Sequence, residues 1–263
     1  MRIGIIGDGA IGRFVREKAL ERGHVIRALL VRPESLQKYV TEHSGTQYVA
    51  SVADLPDDID HMIDCAGHMA LRSYGPDILR GGTDLTTVSL GALADSDLFH
   101  SLEQAAIEGR TRLHLASGGI GALDCLRAAR VGSLQSVTYI GRKPPRSWKG
   151  SPAETKLDLD NLTAGAETHF HGSARDAATE YPKNANVAAA VALAGIGFDK
   201  TKVKLIADPE ISEIIHEVRA TGDFGSFSFE IRGHSLPDNP RSSALAAMSV
   251  VARLEQESQR IVF

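Results

Sequence analysis

From Arg2 to Ala116 the chain alternates short apolar runs with amphipathic segments. Arg2–Ile6, Val25–Val31, His61–Ala66, Asp84–Ser89 and Arg112–Ala116 have the length and composition of buried strands, and Gln47–Val49 is a shorter run of the same kind. Between them, Ile11–Arg22 and Asp95–Glu108 place apolar residues at helical spacing; Ser35–His43 does so more weakly, and Gly75–Gly81 reads as a helix end. Strands alternating with helices predict βαβ units, right-handed crossovers and a doubly wound parallel sheet.

The pattern changes after residue 117. Ser117-Gly118-Gly119-Ile120-Gly121 is a glycine turn, followed by a helical segment at Ala122–Ala129 and a strand at Ser136–Arg142. Lys149–Ala153 resembles a mobile loop, and the basic run from Arg142 to Lys149 around Trp148 reads as a flexible loop over a cleft or as an exposed linker. Thr168–Gly172 predicts a strand, Ala174–Tyr181 a helix ended by Pro182, and Asn186–Ala194 a buried helix. Lys202–Ala207, His216–Thr221 and Ser226–Arg232 alternate as strands do, so the second domain is expected to be α+β with a largely antiparallel sheet. Ser242–Gln259 is a long amphipathic helix. The expected division is a Rossmann-type dinucleotide-binding domain over 1–117 and a substrate domain over 118–239, with the tail 240–263 packing back on the first.

Composition narrows the function classes. The 263 residues carry 29 Lys+Arg against 33 Asp+Glu, a formal charge of −4, without the basic excess of a nucleic-acid binder. Two cysteines, Cys65 and Cys125, are too few for a disulfide framework and read as buried thiols. The start MRIGIIG enters a strand directly and shows no secretory signal. The longest apolar stretch, Val187–Phe198, falls short of the roughly 18 residues a membrane span needs. A cytoplasmic homodimer acting on a small molecule, with neither nucleic acid nor membrane as partner, is the expectation.

The 25 glycines matter through their positions. Gly7-Asp8-Gly9-Ala10-Ile11-Gly12 is a GxGxxG between a strand and a helix. In such a turn Gly7 allows the bend, Gly9 lets backbone approach a pyrophosphate, and Gly12 lets the helix close on the strand; the first helical N–H groups, from Ala10 and Ile11 on, face the anion. At the end of the second strand, where an acid commonly holds the ribose hydroxyls, stands Val31-Arg32-Pro33-Glu34. Arg32 reads either as the partner of a 2′-phosphate, so that NADP is accepted alongside NAD, or as an exposed residue after a strand. Ala66 and Gly67, at the carboxyl end of another strand, are expected to flank the cofactor ribose. No HExxH or paired Cys/His spacing is present, and Asp57, Asp58 and Asp60 look like a solvated loop, so no metal is expected.

Three later segments carry more specific information: Phe170-His171-Gly172-Ser173-Ala174, Tyr181-Pro182-Lys183-Asn184-Ala185-Asn186-Val187-Ala188-Ala189, and Ala207-Asp208-Pro209 with His216 seven residues beyond. With Asn239-Pro240-Arg241-Ser242-Ser243 and the first glycine turn, they resemble the L-aspartate dehydrogenase family in order over nearly the whole chain. The resemblance implies NAD(P)-dependent oxidative deamination of L-aspartate to oxaloacetate and ammonia through iminoaspartate, feeding NAD biosynthesis. It maps the family's catalytic histidine onto His216 and its nicotinamide contacts onto Gly119 and Asn186. Gly119 stands where alanine is familiar, and Glu213-Ile214-Ile215 lacks an asparagine often seen before the histidine.

The residue types agree with that chemistry. A histidine can take a proton from an ammonium or an attacking water and return it. Asn186, opening an apolar helix, reads as an N-cap whose amide can also meet a carboxamide. A dicarboxylate requires cations or hydroxyls, and Ser173, Arg175, Lys183, Arg241, Ser242 and Ser243 are at hand, each equally readable as a surface or capping residue. The competing readings are another two-domain NAD(P) reductase, similar to dihydrodipicolinate reductase or homoserine dehydrogenase, and a non-catalytic NAD(P) sensor.

Overall fold

The structure is a computed structural model and describes residues 1–39, 45–236 and 239–261; the end of the helix expected at Ser35–His43 lies outside them. Its contacts divide the chain into two units, Met1–Ala116 with the residues from Ala247 onward, and Ser117–Ala246.

The first unit holds a six-stranded parallel sheet in the order β3-β2-β1-β4-β5-β6. In chain order its elements are β1 (Arg2–Ile6), α1 (Ala10–Glu21), β2 (Val25–Leu30), β3 (Gln47–Val49), β4 (His61–Asp64), α2 (His68–Arg80), β5 (Asp84–Thr87), α3 (Ser96–Gly109) and β6 (Leu113–Leu115). The reason is visible in the side chains. Ile3, Ile5, Leu29, Leu30, Met62, Ile63 and Leu85 are all but fully buried, as strands covered on both faces require. Strand order reverses beside β1, so the carboxyl ends of β1 and β4 form the crevice where open α/β sheets take ligands.

Two details depart from the sequence reading. The segment after β2 is a 3-10 helix, Pro33–Tyr39, rather than an α-helix. The expected helix end at Gly75–Gly81 is the last half of α2, which starts seven residues earlier, directly after Gly67, and keeps Pro76 inside it. Gly67 adopts φ +95°, a conformation that side chains resist, and so turns the chain sharply from β4 into α2.

The second unit is built on a five-stranded sheet in the order β11-β10-β7-β9-β8. Its elements are α4 (Leu123–Ala129), β7 (Leu134–Lys143), β8 (Glu167–Ser173), α5 (Ala174–Glu180), α6 (Asn186–Ala194), β9 (Lys202–Ala207), β10 (Ile214–Gly222), β11 (Gly225–Gly233), the short pair β12 (Ser235–Leu236) and β13 (Asn239–Ser243), and the start of α7 (Ala244–Ser258). Only the β7–β9 pairing is parallel. Helix α6 reads NVAAAVALA and is buried almost throughout, its small side chains letting its backbone lie close to the sheet: Gly195, just past its end, stands 3.4 Å from Val137 of β7 if a Cβ is added.

The expected loop around Trp148 is a correction. Pro145–Trp148 and Pro152–Thr155 are 3-10 turns, and Trp148 is fully buried with its indole N–H donating to the Ile206 carbonyl at 3.0 Å. The basic neighbours Arg146 and Lys149 disguise an aromatic anchor whose burial outweighs their solvation. Cys125 is likewise exposed rather than buried, while burial and the Asp64 carboxylate push the Cys65 thiol up. Among the described residues no helix is long and apolar enough to cross a membrane.

Candidate active site

The glycine turn lies between β1 and α1. Gly7 has φ +88°, and a Cβ there would stand 2.8 Å from the Cβ of Ala66; a Cβ on Gly12 would stand 2.3 Å from the Gly7 carbonyl oxygen. Both contacts exclude larger residues, so α1 is pressed onto the turn and its N-terminus faces the crevice. Open space surrounds the position a Gly9 side chain would take. Ala10 and Ile11 open α1.

A cavity of about 590 Å³ adjoins this turn, lined among others by Gly7, Gly9, Arg32, Lys38, Tyr39 and Ala66. Asp8 lines it too. Tyr39 donates to Asp8 Oδ2 at 2.8 Å, whereas Oδ1 is buried with no partner among the described residues. Stacking of Tyr39 on Tyr48 at 4.4 Å holds that wall in place. A buried acceptor without a donor, open space over Gly9 and a helix N-terminus fit a ligand bringing hydroxyls and a pyrophosphate, as a nicotinamide dinucleotide does. Arg32 is exposed and pairs with Glu34 at 3.3 Å. Asp8, Lys38 and Tyr39 were not singled out from sequence; the variable x of GxG and a tyrosine in a weak helix carry no distinguishing signal.

Asp64, at the end of β4, fixes the floor. Fully buried, its carboxylate accepts from the Ala66 N–H at 2.9 Å, the Thr87 hydroxyl at 2.7 Å and the Ser89 hydroxyl at 2.6 Å. Burial pushes its pKa up against those hydrogen bonds. The network ties the Ala66-Gly67 turn to the end of β5.

At the opposite, amino end of the same sheet, His61, Asp84 and His114 come within 4.8 Å of one another across β4, β5 and β6, a grouping that sequence spacing conceals. Their ring nitrogens are engaged: His61 Nε2 with the Thr86 hydroxyl at 2.7 Å, His114 Nε2 with Asp84 at 3.2 Å, and His114 Nδ1 with Arg253 at 2.9 Å.

The second unit brings together a different set. Antiparallel pairing places His216 of β10 opposite Gly141 of β7, and Tyr139, Gly141 and Lys143 share one face of β7 by strand alternation. Tyr139, itself buried, reaches along β7 to put its hydroxyl 2.7 Å from His216 Nδ1. Gly141 makes the room, for a Cβ there would lie 2.7 Å from that hydroxyl. His216 is 4% exposed, and burial, with Lys143 nearby, pushes its pKa down to about 3. Its Nε2 faces the turn over 117–121: a Cβ on Gly119 would stand 3.2 Å from Nε2 and 3.3 Å from the Ser243 Cβ. Ser243 is buried, and its hydroxyl has no partner among the described residues.

Of the residues expected at the site, His216, Gly119 and Ser243 therefore meet. Asn186 is the first residue of α6 rather than its cap, which is Ala185, with no side-chain capping bond. Ser173 is committed to a capping box with Asp176 at the start of α5, Arg175 to Asp199, and Lys183 is exposed. Arg241 and Ser242 lie on β13, with side chains outside the described set. Sequence reasoning missed Tyr139 and Lys143. Lys143 is 5% exposed, and burial pushes it down to about 8.

Comparison with known proteins agrees with the architecture of both units. Residues 124–257 match the family described as "Aspartate dehydrogenase, C-terminal", and residues 3–116 that described as "Homoserine dehydrogenase, NAD binding domain". The L-aspartate dehydrogenase of Ruegeria pomeroyi is 50% identical over 99% of this chain and 94% of its own length. That of Cupriavidus necator is 44% identical over 99% of both chains. Among solved structures, an aspartate dehydrogenase from Thermotoga maritima covers 100% of this chain and 99% of its own, with 27% identity and a TM-score of 0.77.

Proposed function

Because the chain belongs to the L-aspartate dehydrogenase family, we propose that it oxidises L-aspartate through iminoaspartate to oxaloacetate and ammonia, with His216 as general acid and base. The observation that carries the reading is the pairing of a buried His216 with Tyr139, which leaves Nε2 directed at Gly119 and Ser243.

A bound nicotinamide dinucleotide supplies the hydride acceptor; the residues of Gly7 to Gly12, Ala66 and Gly67 are those suited to hold it, with Gly119 and Asn186 toward the nicotinamide. The chain's own part is proton management. Loss of hydride from Cα requires a neutral amine, and hydration of the resulting imine requires a water to give up a proton. Burial keeps His216 neutral, so its ring is available as a base. In the tautomer that this role requires, Nδ1–H donates to the Tyr139 oxygen and the lone pair lies on Nε2. The proton taken there charges the ring, and the substrate carboxylates offset that charge at a buried site. The same proton then returns to the departing nitrogen, which leaves as ammonia.

Both NAD and NADP are read as substrates. Arg32 and Lys38 line the cavity beyond β2, where an acidic residue would instead favour a ribose diol. Arg32→Asp is expected to raise KM for NADP more than for NAD; an unchanged preference removes Arg32 from the reading.

The decisive assay follows reduced cofactor with L-aspartate, and its consumption with oxaloacetate plus ammonia. Absence of turnover in both directions overturns the proposal. With turnover in hand, His216→Ala should lower kcat by roughly 10²–10⁴-fold, the usual worth of general acid–base help. A near-normal kcat would refute the role of His216.

A further inference from the structure

Lys143 ends β7 as a buried cation for which the described residues provide no anion. Its ammonium has one hydrogen-bond partner among the described residues, Asn184 Oδ1 at 3.3 Å, and lies 5.0 Å from the centre of the Trp148 ring. An ammonium has three donors, and a buried charge left without a counter-ion is costly. The natural counter-ion is next to it and turned away. The Asp208 N–H donates to the Lys143 carbonyl at 2.9 Å, yet the Asp208 carboxylate accepts from Arg142 Nη1 at 2.8 Å and from the Glu210 N–H at 2.9 Å. Strand alternation explains the separation: Arg142 and Lys143 point to opposite faces of the sheet. Asp208 thus neutralises the outer cation, and the inner one is left on the face it shares with Tyr139 and with His216.

We propose that the Lys143 ammonium is the anion anchor of the His216 site and takes a carboxylate of the substrate. This deepens the aspartate reading and rests on it for the identity of the ligand, a small dicarboxylate. A ligand carboxylate supplies the counter-ion that Asp208 withholds, and its second carboxylate is free for other donors such as the unpartnered Ser243 hydroxyl. The groups facing Lys143 are His216 from β10, Tyr139 from its own strand, and Asn184 and Trp148 from the loops. Burial first, then the Lys156 and Lys143 charges, push His169, which packs edge-on against Trp148, down to about 4. None of these is an anion near neutral pH.

Two measurements test the proposal. In the first, Lys143→Met, which keeps the length and apolar stem, is compared with the native enzyme. KM for L-aspartate should rise on the order of 100-fold, as for loss of one member of a buried charge pair, while kcat falls far less and affinity for reduced cofactor, followed by its fluorescence, stays unchanged. In the second, succinate, a dicarboxylate without an amine, is titrated calorimetrically into the native protein between pH 6.5 and 9.5. Affinity should fall as pH rises through about 8, where the free ammonium loses its proton, and Lys143→Met should bind weakly with no such fall. A KM within threefold of native, or pH-independent succinate binding by the native protein, overturns the assignment. If Lys143→Met does not fold, the native titration alone decides. Succinate binding that weakens above about pH 8 in a protein without aspartate turnover would sustain the anchor and reject the aspartate reading.

Discussion

Replacing Tyr139 by Phe removes one oxygen from the site and little else. The rings of Tyr139 and His216 keep their stacking at 5.9 Å, and Tyr139 remains in a pocket where it is 1% exposed. What disappears is the 2.7 Å hydrogen bond to His216 Nδ1. No water replaces it readily, because both partners are buried, so Nδ1 is left unpaired at a cost of about 1–3 kcal/mol. If that free energy is drawn from the alignment and tautomer of the imidazole in the transition state, kcat falls by roughly 5- to 150-fold. Substrate binding does not use the bond, so KM should change by less than about threefold, and kcat and kcat/KM should fall together. Steady-state rates at saturating cofactor measure both, and circular dichroism establishes that the variant is folded at the assay temperature. A kcat within twofold of native, or a loss confined to KM, would refute the idea that Tyr139 sets the active nitrogen of His216.

Gly141→Ala should reproduce much of that loss without replacing either partner, since its Cβ would lie 2.7 Å from the Tyr139 oxygen and 3.3 Å from Leu205. In a Tyr139→Phe background the closest of those contacts is gone, so adding Gly141→Ala should cost little more; additive losses in the double variant would contradict the proposed route. Stability should fall with acid. His216 is held down to about 3, and His61 and His169 to about 4, all by burial. Below about pH 6.5 the unfolded chain takes up protons that the folded rings refuse, so the contribution present above pH 6.5 is lost progressively towards pH 4 and below. A urea midpoint that stays constant between pH 7 and 5 would show that these rings are not neutral in the fold.

The parts of the fold that repeat a local rule were legible. Each strand of the parallel sheet is an apolar run, and the glycine turn sits where the sterics of Gly7 and Gly12 require glycine. The residues that escaped notice owe their roles to partners far away in sequence. Tyr139 and His216 stand 77 positions apart, and only sheet register brings them together. Lys143 lies in a basic run that looks solvated, and no periodicity tells that Trp148 folds back beneath it while Asp208 turns to the other face. Ser173 shows the opposite case: a serine before a helix reads as a carboxylate contact, and in the structure its hydroxyl closes a capping box. Local polarity identifies residues able to bind an anion, and burial without a partner identifies which one needs to.

The assignment of the residues from Ala247 onward to the first unit bears on how the protein is made. The sheet of the first unit precedes the second unit in the chain, yet Arg22 closes on Glu255 at 2.6 Å and His114 on Arg253 at 2.9 Å. The second unit, Ser117–Ala246, is complete before those partners exist. Synthesis therefore delivers the whole second unit while the parallel sheet of the first still waits for the helix that packs on it, reversing the usual order in which the unit that starts first finishes first.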